Sequence, residues 1–421
     1  MPATGMRLDL LCVMFATPQV HGRGRDTAIV IKGESRYGVL RRLLDDLAEG
    51  LRACGLRVFI FDTTAPEAAE HARLSALLLS GRAAFAVSLA GWGSLIMLPD
   101  GRRLWNAVDI PFLGWIGDPP YFSTNLQVSE FTRGVALLHD ETYGSLLEAL
   151  GPSAAPWAWL PVGGELASRP VPADARGAER PVVSMSLAPL APLEAQLAEL
   201  PTARRRVVED VVDAAARDGG FVLHDALLQA WNGPLGEPSI AESADARLTL
   251  TRIMRLTYSL AHARRRWAMV PQLLALPVDI HGEGWDAVAA DATRARLCPV
   301  LPIERMRERI ARAPLLLNVN PPIVRTAHDR VLQALGAATP VLSDSTPYLE
   351  SEFAAAGALA TFPVGADDLG DRFATLLADP ARLAEMGARA HAAIADRHTW
   401  RHRAAELLRI LAASGRALAA A

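Results

Sequence analysis

The sequence predicts an α/β protein with two parallel-sheet domains, followed by helices at its C-terminal end. Short apolar runs of strand length alternate with segments of helical periodicity, a pattern typical of parallel sheets. The polar, Pro- and Gly-rich stretch 163–180 has no periodicity and interrupts the alternation. A chain of 421 residues also exceeds one ordinary core. We expect domains over 1–170 and 180–398, and a terminal helix over 399–421 that packs back on the first domain.

The first domain is predicted from its apolar runs and the glycines that follow them. The expected strands are 7–15, 57–62, 84–89, 110–116, 135–139 and 156–162, with helices over 37–51 and 66–80. Residues 16–36 are interpreted as a loop. Gly22-Arg23-Gly24 is followed by Thr27 where a dinucleotide fingerprint needs glycine, and no GxxxxGK[ST] occurs. Nicotinamide cofactors and P-loop nucleotide chemistry are therefore not favoured.

The second domain repeats the alternation with a long helical segment inside it. The expected strands are 181–187, 277–281, 315–319, 340–343 and 360–364, and residues 189–275 are mostly helical. An arginine-rich helix is predicted from about Ala244 onward. Further helices should begin at Pro347 and at Asp379-Pro380, and Thr399 is the predicted cap of the last one.

Charge and composition exclude several classes of function. The net charge of −3 does not favour nucleic acid as a partner. The three cysteines are far apart and lack metal-ligand spacing, so neither a zinc site nor a disulfide framework is predicted. No apolar run reaches the ~18 residues of a transmembrane segment, and the pattern of a signal peptide is missing. We expect a cytoplasmic protein.

The basic residues are almost all arginine. Lys32 is the single lysine, so chemistry that needs a lysine would depend on it. Arginine triplets at 204–206 and 264–266 fall within helical patterns. We interpret both triplets as solvated helix faces.

Residues 314–350 form one predicted strand–loop–helix–strand unit. Pro321 and Pro322 end the first strand. Thr326 and Asp329 have capping-box spacing, which predicts a helix from Ala327 that ends at Gly336 in a left-handed conformation. Such a unit directs a helix N-terminus toward the carboxyl edge of the sheet.

That helix start suits an anion, above all a phosphate. His328 and Arg330 lie in its first turn and would add side-chain donors. The alternative is that they decorate a solvated helix start. Asp344, at the carboxyl end of the next strand, either faces a bound sugar or caps a turn.

Three motifs in the second half resemble those of CgeB-like glycosyltransferases. Residues 328–334 and 340–344 resemble the donor-site motif of that family, residues 282–285 (GEGW) its loop after a central strand, and residues 398–403 (HTWRHR) its C-terminal signature. The likeness covers about 260–405 and extends to the first half only in outline. It implies the GT-B architecture, in which two Rossmann-like domains face a cleft.

The resemblance implies a metal-independent, hexosyltransferase-like enzyme. Its co-substrate would be a nucleotide-diphosphate sugar, with no other cofactor and no bound metal. Arg330 and His328 would neutralise the leaving diphosphate. Gln333 stands where family members often carry a glutamate that holds the donor ribose, and a neutral amide lacks the charge-assisted strength of that bond.

Further donor-site candidates follow from their place at strand ends. Asn318 and Asn320 either bond the donor or terminate a strand. Glu283 and Trp285 close a strand at the expected cleft edge. Trp285 would stack on the base or, alternatively, pack in the interior.

The catalytic base is expected in the first domain. Asp118 follows an apolar strand and precedes two prolines, although aspartate before proline is also a routine turn former. His21 is an alternative base. Tyr37 and Gly38, at the start of the first long helix, would face the same cleft. His224 lies among apolar residues and is interpreted as structural.

Two other functions fit the same architecture: a nucleotide-sugar epimerase, and a non-catalytic binding or scaffold protein. The replacement of glutamate by Gln333 favours the scaffold. The acceptor could be a protein, a glycan or a small molecule. The sequence leaves the stereochemistry and the oligomeric state open.

Overall fold

The computed structural model of this chain describes residues 24–64, 68–122, 132–151, 155–176 and 179–420. These residues divide into two units: one contains those up to Val162 and those from Trp400 onward, and the other contains Gly163–Thr399. The strand expected at 7–15 and the candidate His21 lie outside the described residues.

The first unit has a six-stranded parallel sheet with helices around it. Its strands are β1 Thr27–Lys32, β2 Arg57–Asp62, β3 Ala83–Leu89, β4 Phe112–Ile116, β5 Gly134–Leu138 and β6 Trp157–Trp159. The order across the sheet is β2-β1-β3-β4-β5-β6. Its first helices are α1 Val39–Ala53, α2 Ala68–Leu79, α3 Leu104–Ala107 and α4 Tyr143–Ala149.

Strand β1 corrects the prediction of a loop over 16–36. Its run Thr-Ala-Ile-Val-Ile-Lys is buried along its whole length except for Lys32, and it pairs with β2 on one side and β3 on the other. The short apolar core of this segment was obscured by the charged and glycine residues around it. Lys32 ends the strand in an ion pair with Asp45 at 2.7 Å, which gives the single lysine a structural role.

The second unit has its own six-stranded parallel sheet. Its strands are β7 Val182–Ser184, β8 Asp279–His281, β9 Arg296–Cys298, β10 Leu316–Asn318, β11 Val341–Asp344 and β12 Ala360–Phe362. The order is β12-β11-β10-β7-β8-β9. Strand β9 was not predicted, because its three residues form no apolar run.

The helices of the second unit differ widely in length. They are α5 Ala173–Arg176, α6 Ala191–Ala198, α7 Thr202–Ala215, α8 Leu223–Asn232, α9 Ala244–Ala275, α10 Ile303–Arg312, α11 Asp329–Gly336, α12 Pro347–Leu349, α13 Leu369–Leu377 and α14 Pro380–Ala393. Asp379 caps α14 as predicted, since its carboxylate accepts from the Arg382 amide at 2.9 Å. Helix α15, Trp400–Ala420, belongs to the first unit.

The order of the second sheet creates a topological switch point. The chain runs outward from β7 through β8 to β9 and then returns to place β10 on the other side of β7. Ligands of open α/β sheets bind where this reversal leaves a crevice, at the carboxyl ends of the two strands. We therefore expect a ligand site in this unit at the residues that follow β7 and β10.

Helix α11 begins later than the capping box predicted. His328, in an extended conformation, is its N-cap residue, and Asp329 is its first helical residue. Gly336 ends the helix as predicted, but the left-handed residue is Ala338, with φ 56°. Gly336 serves close packing instead, because a Cβ there would lie 1.9 Å from the Glu165 carbonyl oxygen.

None of the described helices combines the length and the apolar character that crossing a membrane requires.

Candidate functional site

The second unit concentrates buried polar groups at its switch point. Arg330 lies in the first turn of α11, and its guanidinium donates hydrogen bonds to residues at the end of β10. Its Nε donates to Asn318 Oδ1 at 2.6 Å, and its Nη2 donates to the Val319 carbonyl at 3.1 Å. Nη1 has no partner among the described residues. Burial lowers the pKa of Arg330 below its ordinary value, although the charges of Asp329 and Asp344 oppose this shift.

Asn318 and Asn320 form a network with the end of β11. Asn318 Nδ2 donates to Asn320 Oδ1 at 3.0 Å and to Ser343 Oγ at 2.8 Å. Both asparagines are fully buried, with exposures of 1% and 0%. The expectation that they bond a donor directly is therefore not what the structure shows. Asn318 holds Arg330 in place, and the network fixes the ends of two strands.

Asp344 completes this network from β11. Its Oδ1 accepts from the Asn320 amide and from Asn320 Nδ2, each at 2.7 Å. The side chain is 2% exposed, and burial raises its pKa to about 6 despite the opposing charge of Arg265. Asp344 thus positions the loop after β10, and its carboxylate does not face an open surface.

Helix α9 contributes a stripe of polar side chains that the sequence reasoning missed. Tyr258, His262 and Arg266 follow one another at intervals of four residues, so they lie on one face of the helix. Arg266 Nη1 donates to the carbonyl of Ser186, just after β7, at 2.7 Å. Arg266 Nε and His262 Nε2 are both buried and have no partner among the described residues.

The charges at this site repel one another. Burial is the largest cause that lowers the pKa of Arg266, to about 9, and the charge of Arg330 is the next. Burial likewise lowers the pKa of His262 and of His328, with further contributions from Arg266 and Arg330. Groups that depress each other's protonation in a buried setting form a ready site for an anion.

The solvated-face interpretation of the triplet 264–266 is wrong for two of its three residues. Arg264 does lie at the surface, where it pairs with Asp213 at 3.0 Å. Arg265 is 3% exposed and donates to the Ala215 carbonyl at 2.6 Å, while Arg266 turns toward the switch point. Consecutive residues point in directions about 100° apart on a helix, so a triplet cannot share one face. The spacing of Tyr258, His262 and Arg266 is the signal that would have found them.

His328 and Gln333 contact Asp329 at the start of α11. The Asp329 carboxylate touches His328 Nδ1 and also accepts from Gln333 Nε2 at 3.2 Å. Gln333 Oε1 is buried and has no partner among the described residues. The helix start therefore carries a carboxylate of its own, and Gln333 presents an acceptor that a ligand hydroxyl could fill.

Trp285 is a core residue. It is 3% exposed, and its Nε1 donates to the Met185 carbonyl at 2.7 Å, so stacking on a base is ruled out at this position. The neighbouring glycines explain the GEGW motif. A Cβ on Gly282 would lie 1.8 Å from the Met185 oxygen, and one on Gly284, with φ 81°, 2.1 Å from the Leu187 oxygen. Glu283 is partly exposed, and its amide donates to Ser186 Oγ at 3.1 Å.

The remaining candidates belong to the first unit. Asp118 is exposed just after β4, and partial desolvation raises its pKa above the ordinary value. Tyr37, with φ 60°, and Gly38, with φ 80°, form the turn before α1, where the guanidinium of Arg36 lies 5.1 Å from the Tyr37 ring centre. His224 is buried, as expected of a structural histidine.

Among the described residues, no group of three or more His, Cys, Asp or Glu side chains could hold a metal ion. The site at the switch point is built from arginine, histidine and amide groups instead.

Comparisons with known proteins agree with this architecture. Residues 263–409 match a family model described as glycosyl transferase-like. No curated protein matches the sequence. A sucrose-phosphate synthase from Thermosynechococcus elongatus superposes with a TM-score of 0.51 at 12% identity, over 93% of this chain and 100% of that one.

Two further solved structures are similar at lower scores. HepE from Anabaena, crystallised with UDP and glucose, has a TM-score of 0.46 at 11% identity and covers 91% of this chain and 99% of its own. AviGT4, a glycosyltransferase of avilamycin A biosynthesis, has a TM-score of 0.47 at 13% identity and covers 94% and 98%. The two parallel six-stranded sheets surrounded by helices, and the superposition on the sucrose-phosphate synthase, show that this chain has the GT-B fold. Most of the glycosyl transferase-like region, residues 263–399, lies in the second unit.

Proposed function

We propose that this protein is a glycosyltransferase that moves a sugar from a nucleotide-sugar donor to an acceptor. The observation that carries the proposal is the cluster of buried basic groups at the switch point of the second sheet. There, Arg266 and Arg330 converge with two histidines, and buried donor atoms of Arg266 and His262 lack partners among the described residues. The glycosyl transferase-like match over 263–409 includes Arg266, His328 and Arg330, begins one residue after His262, and supports a diphosphate as the anion.

A diphosphate would satisfy the donors that the protein leaves open. Arg266 Nε and Arg330 Nη1 would donate to phosphate oxygens in charge-assisted bonds, each worth about 1.5–3 kcal/mol. Arg330 is already oriented by Asn318 and the Val319 carbonyl, so little side-chain entropy is lost on binding. The same two arginines would stabilise the charge that develops on the diphosphate as the sugar leaves.

Gln333 is our candidate for the donor ribose. Its buried Oε1 lacks a partner among the described residues, and Asp329 holds its Nε2. A ribose hydroxyl would donate to Oε1. Such a neutral bond is worth about 1 kcal/mol, less than the charged bond a glutamate makes.

In the transfer itself, an acceptor group attacks the anomeric carbon while the bond from that carbon to the diphosphate oxygen breaks. Asp118 is our candidate for the base that takes the acceptor's proton. The arginines supply the charge that a metal ion would otherwise provide, so we propose a metal-independent reaction. We also propose a CgeB-like enzyme with a hexosyl donor, acting in the cytoplasm. The acceptor stays open among proteins, glycans and small molecules.

The first test is calorimetric binding of a panel of nucleotide sugars and nucleoside diphosphates. Arg266→Ala and Arg330→Ala should each weaken binding about tenfold to a hundredfold, because each removes a charged bond. Arg264→Ala is the matched control: it lies in the same triplet but pairs with Asp213 outside the site, and it should leave affinity unchanged. Equal losses for Arg264→Ala and Arg266→Ala would contradict the site.

The second test follows the fate of the donor that binds. Slow release of free sugar and nucleoside diphosphate without an acceptor would indicate a transferase. Formation of an isomeric nucleotide sugar would identify an epimerase, and an unchanged donor in the presence of candidate acceptors would favour a binding protein.

A further inference from the structure

We infer that His262 binds the donor diphosphate as an imidazolium, after taking up a proton from solvent. The inference rests on the proposed function and adds a residue to it. It concerns the imidazole Nε2, which is buried and has no partner among the described residues. A buried polar atom of this kind is uncommon in native structures and calls for an explanation.

The position of His262 directs it to the anion site. It lies one helical turn before Arg266 on the same face of α9, and Arg266 donates to the Ser186 carbonyl at the carboxyl end of β7. The Tyr258 ring lies 5.9 Å away on the preceding turn. The histidine is thus held between an aromatic ring and a guanidinium, beside the place where the phosphates would bind.

The surroundings keep His262 neutral while the site is empty of anion. Burial lowers its pKa well below 6.5, and the positive groups that face it lower it further. The titratable and charged groups around it are Tyr258, Arg265 and Arg266 on α9, and His328 and Arg330 at the start of α11, where Asp329 contacts His328.

A bound diphosphate reverses this balance. Its two negative charges lie against the guanidinium groups that had disfavoured the imidazolium, and they raise the pKa of His262. One proton then moves from solvent to the ring, and Nε2–H donates to a phosphate oxygen. When the bond from the anomeric carbon to the diphosphate oxygen breaks, its electron pair stays on that oxygen. The imidazolium then faces the extra negative charge of the leaving group.

His328 differs from His262 in that a carboxylate lies against its ring. Its Nδ1 contacts the Asp329 carboxylate, which already stabilises whatever charge the ring carries. The proton taken up on binding is therefore assigned to His262 and not to His328.

The test measures proton uptake by calorimetry in buffers of different ionisation enthalpy. UDP-glucose, GDP-glucose, ADP-glucose and dTDP-glucose are the probes, because a doubly esterified diphosphate does not titrate near neutral pH. With the probe that binds, the unchanged protein should take up close to one proton at about pH 7, and its affinity should rise up to about tenfold for each pH unit that the pH falls. The rise ends below the pKa of the free histidine.

His262→Gln keeps a side-chain donor but cannot titrate. It should bind about as tightly as the unchanged protein at high pH, with almost no proton uptake and no rise in affinity at lower pH. His71→Gln is the matched control, because His71 Nε2 on α2 is also buried without a partner among the described residues but belongs to the first unit. His71→Gln and His328→Gln should both retain the uptake.

Several outcomes would overturn the inference. Equal proton uptake by His262→Gln and the unchanged protein would do so, as would loss of uptake in His328→Gln alone. If a variant fails to fold, the nitrogen chemical shifts of the His262 ring in the unchanged protein report its protonation state with and without donor. A ring that stays neutral when the donor binds would overturn the inference. Failure of all four probes to bind at any pH would overturn the proposed function as well. If a probe binds but proton uptake does not depend on His262, only the inference about His262 fails.

Discussion

At the scale of single residues, the candidate site is a cluster of buried basic groups whose charge Asp329 and Asp344 offset only in part. Arg266 and Arg330 share a buried region, and each is anchored by a backbone carbonyl, the first by Ser186 and the second by Val319. Carbonyl groups fix the direction of a guanidinium without neutralising it. In the proposed function, the diphosphate of the donor supplies the balancing negative charge.

Asp344 should make stability depend on pH. Burial raises its pKa from 3.8 to about 6, so the folded protein holds a proton that the unfolded chain has lost between these values. Stability from this group is therefore largest at low pH and falls as the pH rises through about 6. The gap corresponds to about 3 kcal/mol.

Asp344→Asn tests this directly, because the amide oxygen can still accept from Asn320. Compared with the unchanged protein, the variant should gain about 2 kcal/mol less in unfolding free energy when the pH is lowered from about 7 to about 4. Urea unfolding at a series of pH values measures it. Parallel pH profiles for the two proteins would show that Asp344 is not the titrating group.

At the scale of elements, the loop after β8 and the end of β7 form one rigid piece. The Met185 amide donates to the His281 carbonyl at 2.9 Å, and the Leu187 amide donates to the Glu283 carbonyl at 2.7 Å. Trp285 Nε1, in the core, also donates to the Met185 carbonyl and so joins the same two segments. Gly282 permits the close approach of the two segments. The carbonyl of Ser186, which holds Arg266, lies within this piece.

Gly282→Ala should disrupt both the fold and the site. Its Cβ would meet the Met185 oxygen at 1.8 Å, so the two segments must separate. We expect a loss of about 2–4 kcal/mol in unfolding free energy, together with weaker donor binding, since Ser186 moves with Met185. Chemical denaturation and donor calorimetry measure the two effects.

Gly370→Ala is the matched control for this substitution. Gly370 lies in α13, nothing lies within 4 Å of a Cβ there, and its φ is not positive. Alanine should stabilise this helix by up to about 1 kcal/mol. A similar loss for both variants would mean that the contact at Gly282 is not the cause.

At the scale of the whole molecule, the chain builds the first unit from two distant segments. After completing the second unit it returns at Trp400, whose ring meets Trp115 of β4 at a centroid distance of 5.9 Å. The Trp400 carbonyl also approaches Gly50 of α1 so closely that a Cβ there would lie at 2.4 Å. Helix α15 is thus a core element of the first unit.

Trp400→Ala should destabilise the first unit selectively. The side chain is 6% exposed, and truncation of a buried tryptophan costs about 3–5 kcal/mol. Differential scanning calorimetry should show one transition shifted to lower temperature, while a saturating donor still raises the transition of the second unit. Arg409→Ala, an exposed residue of the same helix, is the control and should shift neither transition. An unchanged first transition in Trp400→Ala would contradict the assignment.

The sequence predicted the strands and helices better than it predicted the contacts of their side chains. The alternation of short apolar runs and helical segments predicted the α/β class, because burial on both faces imposes that pattern locally. It placed β2 at its observed bounds and the start of α14 at Asp379. This pattern did not predict β1, whose six residues lie between charged segments. It also did not predict β9, whose three residues form no apolar run and which joins the sheet by pairing with β8.

The sequence by itself determined the fold class and the position of α11 within two residues, and it singled out Arg330 as a candidate for binding a phosphate. Only the tertiary structure decided that Asn318 holds Arg330, that Asp344 is buried, and that Trp285 is a core residue. It also decided that His262 and Arg266, some 60 residues earlier in the chain, join the same cluster. The physical reason is that periodicity reports which face of an element is buried. The partner it meets depends on strand order, and here β7 and β10 become neighbours only when the sheet is assembled.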